Sequence, residues 1–143
     1  MKGAASTIRK LQQLPTAMRG DIGKALAISL VEMDAYAKHK ISGGGRSGRV
    51  YRRRSVQHQA SAPGEFPKTD RGQLVASLFF RLGADKLSGF FGTMLNYGRY
   101  LEYGTSRMLP RPWLRPTFMA NKDKISERVQ AAIKRTLAKV ANG

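Results

Sequence analysis

The sequence predicts an α+β fold: two long helices packed on a small antiparallel β-sheet, with a long basic loop rich in glycine and arginine. Three observations predict it. Apolar residues recur at the helical period in two segments, one early and one at the C-terminal end. Two short runs of aliphatic and aromatic residues lie between those segments, split by turn-forming residues. A glycine-dense stretch with few large apolar side chains separates the first helix from those runs.

Residues 1–15 carry Ile8, Leu11 and Leu14 before Pro15, which reads as a short helix or extended lead-in ended by the proline. The first long helix is expected at about 16–40. Met18, Ile22, Leu26, Ser29, Leu30, Met33, Tyr36 and Ala37 share one of its faces. Thr16 is the expected N-cap, Asp21 lies near the positive end of the helix dipole, and Lys38 and Lys40 lie near the negative end. Gly20 and Gly23 each weaken the helix by about 1 kcal/mol relative to alanine.

Residues 42–68 read as a long mobile loop. Order returns near Asp70, with a helical turn over Gly72–Ser77. Leu78–Leu82 and Leu87–Met94 are the expected strands, joined through Gly83, Ala84, Asp85 and Lys86. Phe79 and Phe80 are adjacent, as are Phe90 and Phe91, so both faces of the hairpin look covered. The long helix would cover one face and a neighbouring subunit the other. Tyr97, Tyr100, Leu101 and Tyr103 form a short helical pattern closed by Gly104. Pro110, Pro112 and Pro116 force an extended stretch carrying Trp113 and Leu114. The last helix is expected at about 116–141, with Phe118, Ile125, Val129, Ala132, Ile133, Leu137 and Val140 on its apolar face.

The 143 residues suit a single domain. A mean hydropathy of −0.40 reads as soluble, and no apolar run approaches the roughly 20 residues that cross a bilayer. Met1–Lys10 has no apolar core of a secretory signal. The absence of cysteine excludes disulfides, thiol catalysis and thiolate metal sites, and it fits assembly in a reducing cytoplasm. The net charge of +17 is the strongest compositional signal and points to a polyanionic partner, nucleic acid or an acidic protein surface.

No catalytic constellation emerges. Gly43, Gly45 and Gly48 match G-x-G-x-x-G literally, but a helix precedes them and arginines follow, the wrong context for a dinucleotide site. His39 and His58 have no carboxylates at metal-ligand spacing, so no cofactor or metal is expected. Asp123 and Glu127 share a helix face, which the helix dipole explains. The chain reads as a non-enzyme.

The basic loop is informative. From Ala35 to Gly64 there are seven Lys or Arg and no acid. Arg46, Arg49, Arg52, Arg53 and Arg54 surround Val50 and Tyr51. Arginine suits bidentate contact with phosphate or carboxylate, so these five are candidates for contact with DNA or an acidic partner. A solvated loop is the plainer reading of the same run.

Two stretches resemble a known family. The first runs Gln57-His58-Gln59-Ala60-Ser61-Ala62-Pro63-Gly64-Glu65-Phe66-Pro67-Lys68-Thr69-Asp70-Arg71-Gly72-Gln73-Leu74, with Ser77 following. The second is Tyr97-Gly98-Arg99-Tyr100-Leu101-Glu102-Tyr103-Gly104-Thr105, then Arg111-Pro112-Trp113-Leu114-Arg115-Pro116. Together they resemble signatures of the tail-component family of lambdoid long-tailed bacteriophages, a family distantly similar to the minor tail protein Z of phage lambda. Gly98 stands where that family commonly has alanine, and Trp113 where it commonly has phenylalanine.

The resemblance implies a structural virion protein of the neck or upper tail, joining head to tail or completing the tail. It implies a ring homo-oligomer, commonly a hexamer, assembled in the host bacterial cytoplasm. Its neighbours would be a tail terminator, tail tube or head-closure protein, with genomic DNA in the lumen and no membrane. The motif residues Tyr97, Tyr100, Glu102, Gly104, Thr105, Pro112, Trp113 and Pro116 become the candidate assembly positions. Physically, Glu102 is expected to pair with Arg99 or Arg107 or to cap backbone donors. Gly104 permits a positive φ, and Thr105 can bond local backbone. Trp113 is expected in the core. The alternative function is a non-specific nucleic-acid-binding protein acting through its arginine-rich loop.

Overall fold

The computed structural model describes residues 16–45, 47–68 and 71–142. The expected lead-in at 1–15 and Arg46 lie outside the described residues. The element order is α1 (Thr16–Gly43), β1 (Val50–Arg53), β2 (Val56–Gln59), α2 (Gln73–Ser77), β3 (Leu78–Leu82), β4 (Gly89–Thr93), α3 (Asn96–Tyr103) and α4 (Leu114–Asn142). The fold is α+β, with β1–β2 and β3–β4 as two small antiparallel sheets. Among the described residues no helix is long and apolar enough to cross a membrane. The chain falls into two compact units. One takes the chain up to Glu32, Phe80–Phe91 and the chain from Asn121 onward; the other takes Met33–Phe79 and Gly92–Ala120.

In the first unit, α1 buries Met18, Ile22, Ser29 and Leu30 of the expected face, with Ala25 buried in addition and Leu26 only part-buried. The β3–β4 turn explains one of its glycines. A Cβ on Gly23 would come within 2.8 Å of the Lys86 Cβ, so this position admits a close neighbour at the cost of helix propensity. The opposite helix, α4, is tied to α1 by polar pairs. The Thr136 hydroxyl donates to Asp21 at 2.5 Å, and Arg128 donates to Ser29 and Glu32, both at 2.9 Å. The Thr136 hydroxyl bond, aided by Lys139, Lys24 and Arg135, holds the Asp21 carboxyl below the usual range.

The buried face of α4 is offset by one position from the expected one at both ends of the helix. Thr117, Asn121, Ala132 and Thr136 are buried, whereas Phe118 and Leu137 are about half exposed. The reason is that both threonine hydroxyls have partners, Thr136 on the Asp21 carboxylate and Thr117 closer by. The Thr117 hydroxyl donates to the Trp113 carbonyl at 2.6 Å, and Thr136 lies 3.1 Å from the Ala132 carbonyl. A threonine that satisfies its own hydroxyl can be buried at little cost. The helix also begins two residues before the expected start, at Leu114.

The β3–β4 hairpin is closed by a wider connection than the four residues expected. Gly83 donates to Ser88 at 2.8 Å, and the Asp85 carboxylate accepts from the Leu87 amide and the Ser88 hydroxyl. Those bonds, the Leu87 amide first, lower the Asp85 pKa. Gly89 rests against Leu30 of α1. Phe79, Phe80 and Phe90 are 40–49 % exposed, so the described residues leave part of the hairpin's aromatic surface open. Arg81 lies 5.3 Å from the Phe90 ring centroid.

Candidate interaction site

The second unit holds both family-like stretches and most of the candidate residues. Its first feature corrects the long-loop expectation for residues 42–68. α1 runs on to Gly43, and the segment then builds an antiparallel hairpin in the register Val50↔Gln59, Tyr51↔His58, Arg52↔Gln57 and Arg53↔Val56. Arg54 and Ser55 make the turn, with Arg54 at φ +54°. Tyr51 and His58 face each other across the ladder with ring centroids 5.1 Å apart. Arg49, Arg52 and Arg54 are exposed, and the Arg53 backbone ends β1 opposite Val56.

The glycines at the hairpin base serve close packing. Side chains at Gly44, Gly45 and Gly48 would overlap Lys68, Glu65 and the carbonyls of Ala60 and Ser61, respectively. Ala62–Glu65 is a β-turn with Pro63 second and Gly64 third at φ +85°, the pattern of a type II turn. The Glu65 carboxylate accepts from the Ala62 amide at 2.9 Å and from the Ser47 hydroxyl. The Ser47 hydroxyl, the Ala62 amide and nearby Arg111 hold its pKa below the usual carboxylate range. Glu65 thus staples both ends of the hairpin segment together.

The second feature is the start of α4. Glu102 takes the capping role rather than the arginine pairing. One carboxylate oxygen accepts from the Trp113 and Leu114 amides, each at 2.8 Å, and the other accepts from Arg115 at 3.0 Å. Pro116 has no N–H to satisfy, and Thr117 N–H begins the helical ladder on the Trp113 carbonyl at 3.3 Å. All the donors that a helix start leaves without partners are therefore accounted for. The negative carboxylate also sits at the positive end of the helix dipole.

Trp113 is 2 % exposed, as expected for a core residue, and its Nε1–H donates to the Gly98 carbonyl at 2.8 Å. Pro112 precedes it and restricts the backbone entering the cap. Gly104 closes α3 at φ +74° and donates to Tyr100 at 2.8 Å. Thr105 Oγ1 accepts from the Arg107 amide, inside a tight turn bridged from Thr105 to Met108. The remaining tyrosines point away from this core. Tyr97, Tyr100 and Tyr103, at i, i+3 and i+6 of α3, are 53, 47 and 74 % exposed.

The two family-like stretches fold onto each other. Gly64 N–H donates to the Pro110 carbonyl at 2.9 Å. A Cβ on Gly98 would lie 3.2 Å from Leu74 Cδ1 and 3.3 Å from Trp113 Cζ2. No protein-family model, curated protein or solved structure matches this chain.

The glycine at position 98 makes a sharp test. The obstacle to alanine is not Trp113 but the Thr93 methyl, which the new Cβ would meet at 2.4 Å. Thr93 is held by its hydroxyl, 2.6 Å from Ser77 Oγ and 3.1 Å from the Leu95 amide, so it cannot easily turn aside. Gly98→Ala is expected to cost about 1–2 kcal/mol, overpacking outweighing a helix-propensity gain of about 1 kcal/mol. Adding Thr93→Ser, which removes only the methyl, restores most of the loss, whereas adding Trp113→Phe does not. Urea unfolding of the single and double variants measures both.

Proposed function

We propose that this chain is a structural, non-catalytic virion protein of the neck or upper tail of a long-tailed phage. It acts as a ring subunit that joins head to tail or completes the tail. The observation that supports this best is the mutual packing of the two stretches that resemble the tail-component family. Glu65, Gly98, Glu102, Gly104 and Trp113 all have structural work within one unit. The acids at the centre of the motifs are engaged with backbone amides, which fits a scaffold rather than a catalyst.

A subunit built for a ring leaves apolar surface for its neighbours. Met94, Tyr103 and Leu109 are 85, 74 and 66 % exposed, and all belong to the unit that holds the motifs. In this reading the partners are further copies in a hexameric ring, with a tail terminator, tail tube or head-closure protein stacked on it.

The α3 stripe gives the test. Tyr97→Ser/Tyr100→Ser/Tyr103→Ser changes exposed side chains, so the monomer should lose under about 1 kcal/mol. The ring, measured by analytical ultracentrifugation over a concentration series, should dissociate to subunits. Unchanged ring formation by the variant would remove this stripe from the subunit contact, and a wild-type chain that stays monomeric at every concentration would argue against a self-assembling ring.

A further inference from the structure

We propose that the β1–β2 hairpin is a grip for the phosphate backbone of duplex DNA, binding without reading sequence. The inference goes beyond the ring assignment and does not depend on it. Arg49, Arg52 and Arg54 stand exposed on a ribbon only two strands wide. The whole run from Ala35 to Gly64 has no acid to neutralise them. Glu65, the first acid after that run, is occupied at the hairpin base by Ser47 and the Ala62 amide.

The ribbon is braced rather than loosely attached. Gly48 N–H donates to the Ala60 carbonyl at 3.0 Å, Ala60 N–H to Arg49 at 3.1 Å, and Gln59 Nε2 to Gly48 at 3.3 Å. A braced arm loses less conformational freedom on binding than a free loop. A two-stranded ribbon is also narrow enough to enter the major groove. Guanidinium groups pair bidentately with phosphate oxygens, which position a protein on DNA without carrying sequence.

Duplex DNA suits this arm better than an acidic protein surface does. DNA offers an unbroken row of phosphates, one charge per about 1.7 Å of axis. Arg49 and Arg52 fall on opposite faces of the ribbon and Arg54 at its tip, an arrangement that suits a groove walled by phosphates on two sides. The surrounding charge acts in the same direction, since the chain carries net +17 and attracts a dense polyanion.

The test is fluorescence anisotropy of the full chain with a labelled duplex of random sequence, titrated over a salt series. Three arginine–phosphate contacts contribute about 2.7 to the slope of log affinity against log salt, or about 40-fold between 50 and 200 mM salt. Arg49→Ala/Arg52→Ala/Arg54→Ala should lower the slope by about that amount, whereas the triple lysine variant should keep it. Circular dichroism melting of each variant guards against unfolding. An alanine variant that stays folded and keeps the wild-type slope overturns the proposal. So does polyglutamate that displaces the duplex at equal charge concentration, because an acidic protein surface would then be the fitting partner. Absence of any binding by the wild type at low salt also overturns it, and leaves the ring assignment untouched.

Discussion

Trp113→Ala is expected to destabilise the chain by about 3–5 kcal/mol, the range for deleting a large buried aromatic. The side chain is 2 % exposed and lies near Gly98, and the substitution also leaves the Gly98 carbonyl without its 2.8 Å donor. That loss is a large fraction of the 5–15 kcal/mol that typically holds a domain. Trp113→Phe keeps most of the apolar volume and loses the N–H, so it should cost about 0.5–1.5 kcal/mol, the net worth of one hydrogen bond to a carbonyl inside α3. Urea unfolding followed by far-UV circular dichroism gives both values without relying on tryptophan fluorescence. A cost below about 1 kcal/mol for the alanine variant would mean that Trp113 is not the anchor of this unit.

Glu102→Ala should be nearly as damaging, at about 2–3 kcal/mol. A single lost N-cap costs about 1 kcal/mol, and hydrogen bonds to a charged acceptor contribute about 1.5–3 kcal/mol. Here one carboxylate serves three amides at the start of α4. Glu102→Gln retains one acceptor oxygen and should recover part of the loss. The local readout is hydrogen exchange. The Leu114 and Arg115 amides should lose protection in the alanine variant, while β1–β2 amides keep theirs. Equal protection in wild type and variant would contradict the capping role.

Much of this architecture was legible from residue spacing. The apolar period of α1 picked most of its buried face, missing Ala25, and Gly104 and the proline-rich stretch marked the end of α3 and the approach to α4. Glu102 was legible only as two options, because spacing does not say whether a lone acid meets an arginine or a helix start. The Glu102-to-Pro116 pattern held the answer, since a proline in the first turn removes one donor and leaves the others for a single carboxylate.

Two features were hidden for physical reasons. The buried stripe of α4 runs through Thr117 and Thr136, whose hydroxyls are satisfied by the Trp113 carbonyl and the Asp21 carboxylate and so escape a hydrophobic pattern. The β1–β2 hairpin lay behind glycines that look like flexibility. In the fold, Gly44, Gly45 and Gly48 are there because the 60–68 segment passes too close for a side chain. Strands of four residues rich in arginine and glutamine also lack the apolar alternation that announces a β-ribbon.

The central claim is the place of this chain in a virion, and electron microscopy of particles assembled without its gene tests it most directly. With a complemented control alongside, the account predicts filled heads beside separate or abnormally ended tails. The stage of arrest would separate a head-closure role from tail completion. Joined, infectious particles in the absence of the gene would contradict the account.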